Sequence, residues 1–402
     1  MERLICSVQT YAWGSRGSKS VVANLKHSAD QEFVIDEAKP YAELWMGVHA
    51  NGPSKIASNG KLLSEVISKS QSLLADHENG TLQFLFKILS VNQALSIQSH
   101  PDKNKAKILH ERDPTHYPDA NHKPELAIAL SSFQLLSGFR QSHEIYDNIK
   151  SFPELESLIN SKSAIEILKS GNIDEKRVAL KKIFSEYIRS SNENVLKAVE
   201  QLYERLKKIN LLLSIAENNR CTLEELLVRL NSEYPGDVGI FAPLFLNYFT
   251  LERGEAVFMG PNSPHAYLFG DCVECMGCSD NTVRAGLTPK FKDVDTLCSD
   301  LTFEMIEPPH FFPKTIATGI REYAPPVSEF AVHEIGSSAN ELSNVGASSI
   351  IITVKGSTEM HTDAKKFNAK RGEVYFIPVN VPHVLIKPSA DFLAYRAFTP
   401  KR

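Results

Sequence analysis

Three short segments carry side chains that can bind a divalent metal. Gln98 and His100 end a strand-like run, and because side chains alternate along a strand, both point to the same face. NHKPE at 121–125 opens the next strand-like run and adds the carboxylate of Glu125. His265 follows a third such run. Two imidazoles, one carboxylate and one amide oxygen suit a divalent metal that acts as a Lewis acid, zinc most readily.

Part of the sequence around His265 occurs twice. RGEAVF at 253–258 leads to NSPH at 262–265, and RGEVYF at 371–376 leads to NVPH at 380–383. The two copies have the same internal spacing and align without a gap. A turn glycine, a strand and an Asn-x-Pro-His return describe one hairpin of a cupin-like barrel. The repeat therefore predicts two related β-barrels.

The second copy lacks the other metal-binding residues. His383 occupies the position of His265, but the second barrel has no upstream Gln-x-His segment, so we predict a structural role for it. The chain has 13 histidines, and any single one is also compatible with a surface or hydrogen-bonded role.

The hydrophobic pattern divides the chain into segments. Strand-like runs fill about 81–140, helical periodicity fills about 141–233, and YPGD at 234–237 ends the helical part before strands return. We predict an α+β fold, mostly β, with two cupin-like β-barrels (jelly rolls) and an all-α insertion domain. We predict a catalytic cupin domain in two parts, at 1–140 and 236–308, with a helical domain at 141–235 between them. A C-terminal cupin-like domain without metal follows at 309–402.

Composition limits the cellular setting and the partners. The formal net charge of −4 argues against nucleic acid or an anionic membrane held by bulk electrostatics. No window of about 20 apolar residues predicts a membrane span, and the N-terminus has no signal-peptide pattern. Six cysteines in 402 residues are too few for a disulfide scaffold. We therefore expect a reduced cytoplasmic protein, and a monomer, although the sequence does not report the oligomeric state.

Longer strings in the chain resemble a known family. YPDANHKPE at 117–125 and HAYLFGDCVECMGCSDNTVRAGLTPKFKDV at 265–294 are similar to the two signature segments of type I mannose-6-phosphate isomerases. QSHPDK at 98–103, YAWG at 11–14 and PYAELWMG at 40–47 are similar to other stretches of that family. The resemblance runs from end to end. It implies an aldose–ketose isomerase that interconverts mannose 6-phosphate and fructose 6-phosphate and feeds GDP-mannose synthesis for protein glycosylation.

The resemblance also implies roles for individual residues. It implies one zinc ion per chain, bound by Gln98, His100, Glu125 and His265. It implies a catalytic arginine at Arg284 and a substrate pocket that includes Lys123, Glu274 and Asp280, which we predict to take part in catalysis. The substrate pocket carries over to Ser96, Tyr267 and Lys290. Lys87, in FLFKIL, is a further candidate for substrate binding because its ammonium could reach the phosphate. The alternative, slightly favoured by the sequence, is that Lys87 is a strand residue without a role in the site.

The expected chemistry explains these residue types. Exchange between aldose and ketose moves a proton between C2 and C1 through an enediol, which needs an acid–base group, an electrophile and a cationic anchor for phosphate. Glu274 or Asp280 supplies the base, and the sequence does not decide between them. Arg284 and Lys290 supply positive charge of the kind that binds phosphate.

Two other classes of function and one other metal site explain the sequence less well. A non-catalytic metal-binding cupin that binds sugars explains the barrels and metal but not the charged residues beside them. A zinc hydrolase explains metal and carboxylates, but no HExxH string is present. Cys272, Cys275 and Cys278 form a CxxCxxC run whose fourth thiol could come only from distant Cys298, so we predict no cluster there.

Overall fold

The computed structural model describes residues 1–208 and 222–402. They form mixed α and β structure with two β-barrels of the cupin-like type and a helical insertion, so the predicted fold class is confirmed. Predicted helical sequence at 209–221, together with Cys221, lies outside the described residues. Among the described helices, none is both long and apolar enough to cross a membrane.

The first barrel is built on an antiparallel sheet whose central strands are buried on both faces. It comprises β2 (Ser7–Gln9), β3 (Glu43–Met46), β5 (Phe84–Val91), β6 (Ile97–Ser99), β7 (Glu125–Ala129), β8 (Phe133–Phe139), β9 (Leu246–Leu251), β10 (Ala256–Met259), β11 (His265–Gly277), β12 (Val283–Gly286) and β13 (His310–Phe311). β11 is the organising strand, because it pairs with β5, β6, β7 and β8. Its pairing with four neighbours brings residues far apart in sequence to one barrel.

The second barrel combines two sheets from the C-terminal part of the chain with two strands from the beginning. Its larger sheet comprises β1 (Glu2–Ile5), β4 (Lys55–Ile56), β14 (Lys314–Ala317), β15 (Ile320–Tyr323), β16 (Ala331–Gly336), β18 (Ser349–Lys355), β21 (Val374–Ile377) and β23 (Leu393–Phe398). Its smaller sheet comprises β17 (Glu341–Leu342), β19 (Ser357–His361), β20 (Lys366–Lys370) and β22 (Val384–Pro388). One face of the larger sheet packs against the first barrel in a shared apolar core.

Helices cover one side of the first barrel. The insertion comprises α4 (Ser142–Ser151), α5 (Pro153–Glu156), α6 (Lys162–Ser170), α7 (Ile173–Ile188), α8 (Asn192–Lys208) and α9 (Leu223–Glu233). The remaining helices are α1 (Val21–Ala29), α2 (Leu63–Lys69), α3 (Lys103–Arg112) and α10 (Val294–Asp300). The insertion shares one core with β8, β11 and β12. α9 begins with a capping box, in which Thr222 and Glu225 each bond the other's backbone N–H.

The two copies of the sequence repeat have matching backbone geometry. Gly254 and Gly372 both have φ = 82°, in the left-handed region that glycine tolerates without a Cβ clash. A strand begins two residues after each glycine, at Ala256 and at Val374. The repeat therefore marks equivalent hairpins in the two barrels.

Candidate active site

Three buried side chains converge at one end of the first barrel. Nε2 of His100 and Nε2 of His265 each lie 3.2 Å from Oε2 of Glu125. All three residues are at most 2% exposed, and their ligand atoms lie within 4.8 Å of one another. Within the described part of the chain, no other group of His, Cys, Asp and Glu side chains has this arrangement.

Backbone carbonyls orient the two imidazoles. Nδ1 of His100 lies 2.8 Å from the carbonyl of Asn281, and Nδ1 of His265 lies 3.0 Å from the carbonyl of Ser263. A carbonyl can only accept, so each Nδ1 carries the proton and each Nε2 presents a lone pair toward Glu125. Nε2 of His100 and Oε2 of Glu125 are buried and make no well-aligned hydrogen bond with the described residues. Such orphaned acceptors fit a bound cation.

The pKa values agree with a ligand set. Burial lowers the pKa of His100 to about 4, so its imidazole is neutral at neutral pH. Burial opposes ionisation of Glu125, but with the charge of Lys123 only 3.1 Å away the pKa of that carboxyl lies well below its usual value. A neutral imidazole beside a carboxylate is the protonation state that metal binding requires.

Gln98 lies beside this group. It is the register partner of His265, and its Nε2 lies 3.4 Å from Nε2 of His265. The amide oxygen accepts a 3.0 Å hydrogen bond from Ser96. The predicted ligands Gln98, His100, Glu125 and His265 are therefore adjacent in the structure.

A cavity of about 580 Å³ opens beside the buried group. All of the predicted site residues except His100 and His265 line it, and those two contact Glu125 behind it. The predicted residues on its wall are Lys87, Ser96, Gln98, Lys123, Glu125, Tyr267, Glu274, Asp280, Arg284 and Lys290. Its size suits one small, polar ligand.

Lys87 and Glu274 form the centre of a buried polar network. Nζ of Lys87 lies 3.0 Å from one oxygen of Glu274, and the hydroxyl of Tyr267 donates a 2.9 Å bond to the other. Lys87 also lies 3.4 Å from Glu43, whose carboxylate accepts from the indole of Trp45. Burial raises the pKa of Glu274 against the opposing charge of Lys87. Lys87 therefore lies inside the cavity and not on an outer strand face.

Asp280 has a different environment from Glu274. Its side chain is 40% exposed and lies 3.3 Å from Nε2 of His49, and Asn51 donates a 3.4 Å bond to it. The hydrogen bond with His49 lowers the pKa of Asp280. Asp280 is thus a carboxylate held in its charged form at the rim.

Arg284 and Lys290 place two positive charges at the same cavity. Among the described residues, no carboxylate pairs with Arg284 or with Lys290, although the Lys290 ammonium lies 5.9 Å from the ring centre of Tyr11. Burial lowers the pKa of both groups, and in Lys290 the neighbouring charge of Arg284 adds to that effect. Two unpaired positive charges form a local binding site for an anion.

Sequence reasoning missed several residues on the cavity wall. Tyr11, Trp13, Glu43, Trp45 and Tyr234 lie there. The first four belong to YAWG and PYAELWMG, which the family resemblance included without a role for any residue. Tyr234 lies in the YPGD segment, which was interpreted only as a helix end.

The sequence predicted no metal site at His383 or at the CxxCxxC run, and the geometry at both differs from that of the His100, Glu125 and His265 group. The His383 side chain is 69% exposed, with Nδ1 4.0 Å from Glu341. Cys272 and Cys275 are three positions apart on β11, and they pack into different cores on opposite faces of the sheet. Opposite faces prevent those two thiols from binding one metal.

Models of known families match much of the chain. The catalytic domain of phosphomannose isomerase type I matches residues 1–142, and the helical insertion domain of phosphomannose isomerase type I matches residues 156–246. Related sequences match nearly the whole length. The chain is 44% identical to mannose-6-phosphate isomerase of Homo sapiens, covering 98% of this chain and 97% of that one. It is 39% identical to mannose-6-phosphate isomerase of Saccharomyces cerevisiae, with 98% of each covered.

Solved structures show the same architecture. A zinc-bound mannose 6-phosphate isomerase superposes with a TM-score of 0.83 at 29% identity, covering 100% of this chain and 99% of that one. A single-substitution variant of phosphomannose isomerase from Salmonella typhimurium gives a TM-score of 0.84 at 29% identity, with 100% of each chain covered.

Proposed function

Because the chain belongs to the type I phosphomannose isomerase family, we propose that it interconverts mannose 6-phosphate and fructose 6-phosphate. One observation carries this proposal. A buried group with the character of a metal site and a pair of unpaired cations border the same cavity. A phosphorylated sugar needs both, since its phosphate requires positive charge and its reacting oxygens require an electrophile.

We propose that one zinc ion is held by Gln98, His100, Glu125 and His265. The orphaned atoms of His100 and Glu125 support this set, as does the zinc in a solved relative. A half-turn of the Gln98 amide exchanges its nitrogen and oxygen and would direct the oxygen toward His265. Zinc bound there would supply Lewis acidity toward the substrate oxygens.

The phosphate would lie against Arg284 and Lys290. Both charged groups border the cavity without a carboxylate partner in the described residues, so binding an anion there breaks no ion pair. Arg284 offers a planar fork of donors and Lys290 offers a point charge. Ser96 and Tyr267, also on the wall, would orient the hydroxyl groups of the sugar.

Proton transfer between C2 and C1, through an enediol, would fall to Glu274. Its burial in the cavity raises its pKa, which favours a carboxylate that both accepts and returns a proton, and the ammonium of Lys87, 3.0 Å away, opposes that rise. Asp280 is held charged at the rim by His49, which suits binding better than proton transfer. Lys123 would donate to the oxygen that gains charge.

An isotope experiment tests this step. Mannose 6-phosphate carrying deuterium at C2 is converted, and the deuterium at C1 of fructose 6-phosphate is measured by mass spectrometry. We expect partial loss of deuterium to water, and much slower conversion in Glu274→Gln. Complete retention throughout the reaction, or unchanged conversion by Glu274→Gln, would contradict the assignment.

The wider setting follows from the same family. We propose that the product supports GDP-mannose synthesis and protein glycosylation, and that the protein acts as a cytoplasmic monomer. Light scattering and fractionation test the second statement directly.

A further inference from the structure

The chain leaves the helical insertion through EYPGD at 233–237, which we name the exit segment. One end of it bonds the loop at 92–96, which carries Ser96 on the cavity wall. Oε2 of Glu233 accepts a 2.8 Å bond from the N–H of Ala94, and the hydroxyl of Tyr234 donates a 2.6 Å bond to the carbonyl of Ala94. Tyr234 itself lines the cavity.

The other end of the exit segment bonds the opposite wall. Oδ1 of Asp237 accepts a 2.7 Å bond from the N–H of Leu287 and another of 2.7 Å from that of Gly239. Oδ2 of Asp237 lies 3.3 Å from Nζ of Lys292. Leu287 and Lys290 both line the cavity. The exit segment thus bonds both loops that face the substrate.

Leu287 has a backbone conformation that needs support. Its φ of 52° lies in the left-handed region, which a leucine rarely adopts. The backbone around it has no spare room, because a Cβ on Gly286 would lie 2.8 Å from Cα of Gly239 and 2.9 Å from Oδ1 of Asp237. The bond from Leu287 to Asp237 therefore helps hold the strained turn that leads to Lys290.

We propose that the exit segment is a positioning element for the substrate cavity, with Asp237 and Tyr234 as its two positioning residues. Asp237 fixes the turn that carries Lys290, and Tyr234 fixes the loop that carries Ser96. The helical insertion then sets the separation of the two walls in addition to covering the barrel. This inference rests on the proposed function, because Lys290 and Ser96 are its substrate-binding residues.

A purely structural role makes a different prediction. Asp237 also caps the short helix Val238–Leu244. If capping were its whole contribution, its removal would lower stability and leave the kinetic constants unchanged. Two residues of the helical insertion provide matched controls. Asn172 accepts two backbone N–H groups at the start of α7, and the Tyr203 hydroxyl donates to the carbonyl of Val228.

The experiment compares Asp237→Ala, Asp237→Asn and Tyr234→Phe with Asn172→Ala and Tyr203→Phe. KM and kcat for mannose 6-phosphate, zinc content and melting temperature are measured for each full-length protein. We expect Asp237→Ala to raise KM about fivefold or more at wild-type zinc content, since a lost hydrogen bond is worth about that factor. Asp237→Asn retains an oxygen acceptor and should recover most of the loss.

Tyr234→Phe should raise KM by a smaller factor, and both controls should keep wild-type constants even if their melting temperatures fall. If Asp237→Ala and Tyr234→Phe match the controls in KM and kcat while the wild type turns over normally, this inference alone is wrong. A wild type that neither binds nor converts mannose 6-phosphate overturns the proposed function and this inference together.

Discussion

Lys87 lies 3.0 Å from Glu274, and the two side chains are 7% and 4% exposed. Replacing Lys87 by methionine leaves a buried carboxylate without its counter-ion. We expect the free energy of unfolding to fall by about 3 kcal/mol and turnover to fall with it, whereas a Lys87→Met, Glu274→Gln double variant should be more stable than Lys87→Met. Chemical denaturation measures the change in the free energy of unfolding, and kcat measures the change in turnover. Lys150→Met, which removes the surface ion pairs of Lys150 with Glu156 and Glu166, is the control and should change stability by about 1 kcal/mol or less. A double variant less stable than the single one would contradict the pairing.

Substitution of a metal ligand and substitution of Arg284 should impair the protein in different ways. Removing His265 leaves an incomplete ligand set, so His265→Ala should lose zinc. Arg284→Ala should keep zinc and the fold while turnover falls by about 10²–10³, and Arg284→Lys should recover only part because lysine lacks the planar fork. Zinc content and turnover are measured together, with His310→Ala as an exposed-histidine control. Near-normal turnover in Arg284→Ala at saturating substrate, or loss of its zinc, would show that the role given to Arg284 is wrong.

The cysteine run should be dispensable for metal binding. Cys272 and Cys275 face opposite sides of β11 and lie in apolar cores. Alanine at Cys272, Cys275 and Cys278 together should leave one zinc per chain, although lost packing should lower the melting temperature. The measurement is elemental analysis with an absorption spectrum. An iron–sulfur band in the wild type, or zinc that disappears with the thiols, would refute this prediction.

One hydrogen-bonded pair joins the two barrels, and its contribution to stability should depend on pH. His122 and Glu329 lie 2.7 Å apart. Burial opposes ionisation of Glu329, but the bond with His122 outweighs it and lowers the pKa from 4.5 to about 2. A depressed carboxyl pKa stabilises the folded state above pH 4.5, and this contribution is lost as the pH falls from 4.5 toward 2.

Glu329→Gln should therefore cost about 1–2 kcal/mol at neutral pH, and the difference from wild type should shrink below pH 4.5. Denaturation at several pH values measures it. Glu359→Gln removes an exposed carboxylate that bonds His361, and it should follow the wild-type curve. A cost for Glu329→Gln that does not change with pH would contradict this role for the ionised carboxyl of Glu329.

The sequence predicted the features that depend on local pattern. The repeat located both hairpins, and the left-handed Gly254 and Gly372 are where the pattern placed the turns. Alternation predicted that Gln98 and His100 share a face, and both lie at the candidate metal group. These features follow from periodicity and turn chemistry, which act over a few residues.

Features that depend on distant contacts were not predicted. β1 pairs with β21, more than 300 residues away, and no periodicity specifies that partner. Glu43 and Trp45 became part of the cavity only through the pairing of β3 with β5. Asp237 appeared as a turn residue after a helix, because its bond to Leu287 depends on tertiary structure.

We propose that this chain isomerises mannose 6-phosphate with a zinc ion held by Gln98, His100, Glu125 and His265. The most direct measurement is the formation of fructose 6-phosphate from mannose 6-phosphate by the purified protein as isolated, after chelation, and after zinc is restored, with zinc counted in each sample. We expect one zinc per chain, turnover that disappears with the metal, and recovery when zinc is returned. Full turnover by metal-free protein, or zinc-loaded protein that forms no fructose 6-phosphate, would contradict the account.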